Sequence, residues 1–108
     1  MNNILIEPPA VSKFGNQRIM GSFGANKADF AWPPFDIMMI SGCLEHHGFP
    51  ASIYDFCNTR MTFEDVRKTI IAEKPKMVVF STSSTTIYSD LKIADIAKKI
   101  SKDILTVA

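Results

Sequence analysis

The chain has 108 residues, of which 46 % are hydrophobic and 21 % charged, and its formal net charge is +1. This length allows one small domain, and the balanced charge gives no electrostatic reason to expect nucleic acid or an acidic membrane surface as a partner. No apolar stretch approaches the roughly 20 residues that span a bilayer, and the N-terminal residues lack the basic and apolar regions of a signal peptide, so we expect a cytoplasmic protein.

The first half of the chain predicts a strand, a helix and a second strand. Asn3 to Glu7 is a short apolar run that ends at Pro8-Pro9, because prolines cannot continue a ladder of hydrogen bonds. Pro34 suits the first turn of a helix, and Gly48 suits its C-terminal cap. Ala51 to Tyr54 reads as the second strand. The helix has a stripe of residues that we expect to face the core: Ile37, Ile40, Leu44 and His47.

The segment between the first strand and the first helix is unusually long. It holds ~25 residues, whereas such connections usually hold roughly 2–6. It carries several glycines and aromatic residues, among them Gly15, Gly21, Phe30 and Trp32. We expect this segment to be irregular or mobile when no ligand is bound, because ordering a long loop costs conformational entropy at every residue.

The second half of the chain predicts a helix, a strand, a helix and a strand. Thr62 suits an N-cap, and Pro75 ends the helix that follows it. Met77 to Phe80 is a continuous apolar run, typical of a strand buried on both faces of a parallel sheet. Ile104 to Val107 is the fourth strand. The buried stripes of the two helices are expected to be Phe63, Val66, Ile70 and Ile71 in one, and Ile87, Leu91, Ala94, Ala97 and Ile100 in the other.

This alternation of strands and helices predicts an α/β domain with a parallel sheet. Six hydroxyl side chains, Ser81 to Thr86, directly follow the third strand. In the simplest parallel topology this hydroxyl run and the long segment both leave the carboxyl ends of adjacent strands, which is where open α/β sheets bind ligands. Hydroxyls can bind phosphates, amides or ring substituents without bringing charge. A polar loop that caps a helix would explain the same residues, so both interpretations stay open here.

Two families with similar architecture do not fit. The hydroxyl run is like the flavodoxin phosphate loop S/T-x-T-x-x-T, but that loop follows the first strand, so flavin mononucleotide is not favoured. A receiver domain needs an Asp at the end of the third strand, where this chain has Phe80 and Ser81. No glycine-rich nucleotide fingerprint is present either.

The remaining candidates for chemistry have ordinary structural explanations. His46 and His47 close a helix, where a basic side chain interacts favourably with the helix dipole. Asp55 suits a turn. Cys43 and Cys57 have neither a disulfide-framework spacing nor a metal-ligand spacing. We expect both thiols to be reduced, and we expect Cys43 to pack beside the apolar stripe of its helix.

Five pieces of the chain together resemble the N-terminal cobalamin-binding domain of cobalamin-dependent radical S-adenosylmethionine (SAM) enzymes. These pieces are ILIEPP, WPPFDIMMISGCLEHHG, SIYD, AEKPKMVVFSTSSTT and DILTVA. The resemblance covers nearly the whole chain through many weak matches. It implies a Rossmann- or flavodoxin-like, three-layer domain over residues 1–108, with parallel strands in the order 2-1-3-4. The last strand–helix unit of that family is missing, which implies that the chain is a fragment of a longer enzyme.

The resemblance also implies a binding site. Cobalamin would rest across the carboxyl ends of the strands, with its nucleotide tail reaching toward the sheet. The residues implied to line this groove are Pro8, Pro9, Ser81, Thr82, Ser83, Ser84 and Thr85. Cobalamin-binding mutases carry D-x-H-x-x-G after the first strand, and this chain has EPPAVSKFG there. We therefore expect no metal ligand and no catalytic residue from this chain.

The implied parent is a radical SAM enzyme in which cobalamin carries a methyl group to a substrate carbon or phosphorus. A later domain of that parent would bind a 4Fe-4S cluster and SAM, and would be the partner of this one. The alternative is a ligand-free α/β interaction or structural module. In either case we expect self-association, because an apolar surface would lack a covering helix: Val78 or Val79, with Ile104, Leu105 and Val107.

Overall fold

The structure, a computed structural model, describes residues 3–11, 16–19, 22–25 and 33–108. Its strands are β1 (Asn3–Glu7), β2 (Asn16–Ile19), β3 (Ser22–Ala25), β4 (Ala51–Asp55), β5 (Met77–Phe80) and β6 (Leu105–Val107). Its helices are α1 (Phe35–His46), α2 (Phe63–Glu73), α3 (Ile87–Asp90) and α4 (Lys92–Ile100). No helix within these ranges is long and apolar enough to cross a membrane.

Four parallel strands form one sheet in the order β4-β1-β5-β6. β1 lies between β4 and β5, and its residues Asn3 to Ile6 pair with Ala51 to Tyr54 on one side and with Met77 to Phe80 on the other. Counted in chain order, the four parallel strands follow the predicted order 2-1-3-4. The α/β, flavodoxin-like fold predicted from the sequence is therefore confirmed, and the carboxyl ends of all four strands share one edge.

Helices cover both faces of this sheet, which makes the three layers that were expected. Successive side chains of a strand point to opposite faces. On one face the strands pack against α2 and α4 through a fully apolar core: Ile4, Ile6, Val66, Ile70, Val78, Phe80, Ile93 and Ala97. On the other face, Ile37 of α1 packs against Leu5 and Val79.

The helix termini follow the expected chemistry. The Thr62 hydroxyl accepts a hydrogen bond from the Asp65 backbone N–H at 3.4 Å, and the Asp65 carboxylate accepts one from the Thr62 backbone N–H at 2.8 Å. This reciprocal pair is a capping box that satisfies two backbone donors at the start of α2. Gly48 follows α1 with φ +83°, a backbone conformation that glycine adopts without the steric cost of a Cβ atom.

The apolar stripes differ from the prediction in detail. Ile40 and His47 of the first predicted stripe are exposed, and so is Ile71 of the second. The third predicted helix is two helices that meet at Leu91. Leu91 and Ile100 are exposed there, whereas Ile93 and Ala97 are fully buried. The prediction is therefore right for Ala94 and Ala97, which pack in or against the core, and wrong for Leu91 and Ile100.

The exposed apolar surface beside β6 also needs a correction. Val78 and Val79 are buried, because helices cover β5 on both sides. Ile104 is buried as well, and only Leu105 and Val107 of the expected set are exposed. Since Leu105 pairs with Met77 and Val107 with Val79, both exposed side chains lie on the same face of the sheet as α1.

The long segment before α1 contains regular structure. β2 and β3 pair as antiparallel strands, from Asn16 opposite Ala25 to Ile19 opposite Ser22. The expectation of an irregular segment is therefore wrong for these two strands. The expected mobility is untested. Gly15, Gly21, Phe30 and Trp32 lie outside the described residues.

Candidate functional site

The carboxyl ends of β1 and β5 are joined by a backbone and a side-chain hydrogen bond. The Ser81 backbone N–H donates to the Ile6 carbonyl at 3.1 Å, which extends the strand pairing by one residue. The Ser81 hydroxyl donates to the Glu7 carboxylate at 2.5 Å. Glu7 is only 5 % exposed, so Ser81 satisfies part of the hydrogen-bonding demand of a buried carboxylate. These two hydrogen bonds hold Ser81 at the carboxyl edge of the sheet, where the sequence predicted the hydroxyl run to begin.

Pro8 and Pro9 follow β1 at this edge and are both buried. A proline cannot donate a backbone hydrogen bond, so the ladder of β1 ends here. The two prolines are therefore packed inside the protein where β1 ends. Their contact with a ligand stays a prediction.

Three of the hydroxyl side chains point inward, around the fully buried carboxylate of Asp90. Thr82 Oγ1 donates to Asp90 Oδ2 at 2.8 Å, and Thr86 Oγ1 donates to the same oxygen at 2.6 Å. Ser83 Oγ lies 2.7 Å from Thr86 Oγ1 and accepts a hydrogen bond from the Thr86 backbone N–H at 3.2 Å. Ser83 and Thr86 are both buried. We call Thr82, Ser83, Thr86 and Asp90 the Asp90 network.

Ser84 and Thr85 lie between the members of the Asp90 network and are exposed. No hydrogen bond joins either hydroxyl to another described residue. A hydroxyl has one donor and two acceptor positions. These two side chains therefore offer neutral hydrogen-bonding groups to a ligand at the edge.

A cleft of about 330 Å³ opens beside the hydroxyl run, between α1 and the ends of β5 and β6. Its apolar lining is Ile37, Ile40, Val79, Phe80, Val107 and Ala108, and its polar lining is Asp36, Ser81 and Thr82. This volume lies at the lower end of the range for small-molecule pockets. The cleft can hold one part of a large ligand while the rest lies over the edge.

A larger cavity of about 650 Å³ lies at the opposite end of the sheet, where α2 and α4 end and β5 and β6 begin. Ile70, Ile100 and Ile104 contribute to its lining, together with Lys74 and Asp103. It contains none of the hydroxyl run. Because parallel α/β sheets bind ligands outside the carboxyl ends of their strands, we place the site at the smaller cleft.

The residues with ordinary explanations lie away from the cleft. His46 and His47 end α1 only a few residues before β4 begins, which puts them at the amino edge of the sheet. His47 Nδ1 lies 2.9 Å from the carbonyl oxygen of Cys43, one turn earlier in the chain. Asp55 accepts two hydrogen bonds from Asn58, as expected for a turn. Cys43 is exposed rather than packed, Cys57 is buried, and no disulfide joins them.

One family model matches the chain, the B12-binding domain, over residues 21–108. The chain belongs to the B12-binding domain family. This membership implies cobalamin binding, and it accounts for the flavodoxin-like sheet. No curated protein and no solved structure matches the chain.

The residues at the carboxyl edge suit the ligand of a B12-binding domain. Cobalamin is large, rich in amides and mostly neutral, and the edge offers the neutral hydroxyls of Ser84 and Thr85 beside a largely apolar cleft. Among the described residues, no group of three metal-ligating side chains comes together. The cleft and the exposed hydroxyls fit a ligand held by its periphery.

Sequence reasoning found the hydroxyl run but missed Glu7 and Asp90. Asp90 lies four residues after Thr86, a spacing at which two side chains meet on one helical turn. That spacing could have indicated the hydrogen bond between Thr86 and Asp90. Nothing comparable marked Glu7, whose partner Ser81 is distant in sequence.

Proposed function

We propose that this B12-binding domain holds cobalamin across the carboxyl ends of β1 and β5, with the nucleotide tail of the ligand in the cleft beside α1. The observation that carries the proposal is the combination of a largely apolar cleft of about 330 Å³ with two exposed, uncommitted hydroxyls at the same edge. Ser81 and Thr82 line the cleft, and in this proposal the buried Pro8 and Pro9 form the neighbouring wall of the site.

Each part of the edge contributes a different kind of contact. Ile37, Ile40 and Val79 give the cleft apolar walls, which favour an aromatic ring over water. The Ser84 and Thr85 hydroxyls can bind amide groups at the periphery of the corrin without placing a charge next to the cobalt. When bound, cobalamin supplies a cobalt centre that can carry a methyl group, and the domain orients that centre.

We further propose that the domain serves a radical SAM methyltransferase, as one domain of a longer enzyme. The support is the set of short motifs at the ends of the elements: E-P-P at the end of β1, W-P-P before α1, K-P after α2 and S-T-S-S-T-T after β5. A 4Fe-4S cluster and SAM would then be bound by another domain. The outer face of α1 is available for such a domain, since Phe35, Met38 and Met39 are exposed at helical spacing.

The encoded sequence that follows Ala108 tests this second proposal. A C-x-x-x-C-x-x-C motif roughly one domain later would support a radical SAM parent. A different catalytic domain at that place would contradict the parent while leaving cobalamin binding intact.

Absorbance titration with hydroxocobalamin, checked by equilibrium dialysis, tests the binding site itself. Ile40→Trp fills the cleft from a side chain that is 39 % exposed, so it should change binding more than folding. We expect it to weaken cobalamin binding roughly tenfold or more, about 1.4 kcal/mol. Met39→Trp is the matched control, because Met39 neighbours Ile40 but is 75 % exposed and does not line the cleft.

Cobinamide, which lacks the nucleotide tail, completes this design. It should bind the natural sequence more weakly than cobalamin does and should be insensitive to Ile40→Trp. Equal loss in both tryptophan variants would contradict the cleft assignment. Failure of the natural sequence to bind cobalamin would contradict the proposal and favour the ligand-free interaction module.

A further inference from the structure

We propose that Asp90 is a positioning residue for the cobalamin loop, residues 82–86: its buried carboxylate fixes the Asp90 network so that Ser84 and Thr85 present their hydroxyls to the ligand. This inference rests on the proposed function and assigns different roles within the hydroxyl run. Asp90 lies beyond that run and is fully buried, so it acts through its neighbours rather than by touching the ligand.

The direction of each hydrogen bond follows from the chemistry of the carboxylate. An ionised Asp side chain only accepts, so Thr82 and Thr86 must both donate their hydroxyl hydrogens to Oδ2. A hydroxyl has one hydrogen, and the Thr86 hydroxyl donates it to Asp90. Ser83 must therefore donate to Thr86 across the 2.7 Å contact. The donors of Thr82, Ser83 and Thr86 are thus all committed within the protein.

Residues of the Asp90 network lie on both sides of Ser84 and Thr85 in the sequence. Thr82 and Ser83 precede Ser84 and Thr85, and Thr86 follows them, so both ends of this short stretch are attached to one carboxylate. The Thr86 backbone N–H also donates to the Ser83 carbonyl at 3.1 Å, which makes a tight turn. Ser84 and Thr85 stand at the tip of that turn and are exposed.

Fixing this turn before the ligand arrives should increase affinity. A loop that is ordered only on binding loses conformational entropy at that step, and this loss subtracts from the binding free energy. Asp90 makes the ordering part of folding instead. Residues 82–86 therefore consist of two contact residues and a scaffold that holds them.

Three variants separate contact from scaffold. Asp90→Asn removes the negative charge and turns one carboxylate oxygen into an amide donor, so the hydrogen bonds from the two threonine hydroxyls lose their charged acceptor and weaken. Thr86→Val keeps the side-chain shape and removes the hydroxyl that joins Ser83 to Asp90. The double variant Ser84→Ala with Thr85→Ala removes the proposed contacts and leaves the Asp90 network intact. Asp95→Asn, at an exposed position of α4, is the control.

Two measurements are made on each variant: hydroxocobalamin affinity by absorbance titration, and amide hydrogen exchange of Thr82 to Thr86 without ligand. Thr86→Val, which loses a hydrogen bond to a charged group, and Asp90→Asn, which weakens two, should each lower the affinity roughly tenfold and should speed exchange in the turn while β1 and β5 stay protected. The double alanine variant should weaken binding by a similar factor and leave exchange unchanged. Asp95→Asn should change neither quantity.

The outcomes distinguish this inference from the proposed function. If Thr86→Val leaves both exchange and affinity unchanged, the scaffold role of Asp90 is wrong, whether or not Asp90→Asn folds. If the double alanine variant binds normally, Ser84 and Thr85 are not the contacts, and the inference is wrong. If the natural sequence does not bind cobalamin, the proposed function fails, while exchange in Thr86→Val still shows whether the network holds the turn.

Discussion

At the scale of single residues, the positions of the histidines bear on whether an imidazole of this chain coordinates cobalt. The sequence contains two histidines, and both lie at the end of α1 on the amino edge of the sheet. The cleft is at the carboxyl edge, beside the first turn of the same helix. This placement supports the prediction that no imidazole of this chain coordinates the metal.

Electron paramagnetic resonance of the bound Co(II) form tests that prediction. A coordinating nitrogen splits the cobalt signal, and the splitting depends on its isotope. We expect the spectrum to be the same with unlabelled protein and with uniformly ¹⁵N-labelled protein. A splitting that changes on labelling the protein would show a protein nitrogen on cobalt and would contradict the placement.

The pKa of Asp65 gives a second prediction at this scale. Hydrogen bonds from the Thr62 backbone N–H, and then from its hydroxyl, hold the pKa of Asp65 below its ordinary value of 3.8. Such a group adds stability above the unfolded-state pKa, and this stability is lost as the pH falls through the folded-state pKa. We therefore expect Asp65→Asn to reduce the free energy of unfolding at neutral pH.

Urea unfolding of both proteins at a series of pH values measures this difference. The gap between the natural sequence and Asp65→Asn should be constant above about pH 5 and should shrink below pH 4, where the carboxylate of the unfolded chain takes up its proton. A gap that grows as the pH falls would have the wrong sign for the capping box.

At the scale of elements, α4 is the clearest test of the packing. Ile93 is fully buried against the sheet, whereas Ile100 on the same helix is partly exposed. Ile93→Ala should lower the free energy of unfolding by about 2–5 kcal/mol, the usual cost of truncating a buried isoleucine. Ile100→Ala is the matched control and should cost clearly less. Similar losses, measured by urea unfolding, would show that the described face of α4 is not the one that meets the core.

The same element shows what the sequence could and could not predict. The four parallel strands were placed correctly because short apolar runs next to prolines, as at Pro8, Pro50 and Pro75, leave few alternatives, whereas β2 and β3 were not predicted. The inner face of the third helical region was predicted only in part, because two of its buried residues, Thr86 and Asp90, are polar. They are buried together because they hydrogen-bond each other. The periodicity of apolar residues gives no indication of a buried pair of polar side chains.

The candidate site was predictable to the same limited degree. The position of the hydroxyl run after a central strand marked the ligand edge, because the topology fixes that edge. The composition of the run could not tell inward from outward side chains, since Ser and Thr are equally polar in both orientations. Ser83 differs from Ser84 because its hydroxyl contacts Thr86, which in turn donates to the buried Asp90, and no sequence pattern reveals this chain of contacts.

At the scale of the whole molecule, we predict self-association through β6. β6 pairs with β5 on one side, and no described strand pairs with its other side. Leu105 is 56 % exposed on the α1 face, with Val107 beside it. An apolar strand at the edge of a sheet favours pairing with another chain. The mass measured by light scattering should therefore rise with protein concentration.

Leu105→Lys should suppress this rise, because a charged side chain at an edge strand disfavours pairing. Met39→Lys is the control, since it changes an exposed methionine on the outer face of α1 instead. A monomeric mass at all concentrations would contradict the prediction. Suppression by Met39→Lys alone would move the association surface from β6 to α1.

The central claim is that cobalamin binds at the carboxyl edge of the sheet, and amide NMR of the ¹⁵N-labelled protein tests it most directly. Titration with diamagnetic hydroxocobalamin should shift the signals of residues 81–86 and of the first turn of α1, from Asp36 to Ile40. The signals of Lys74 and Lys76, beside the larger cavity, should stay in place. Shifts confined to that cavity, or no shifts at all at saturating ligand, would contradict the account.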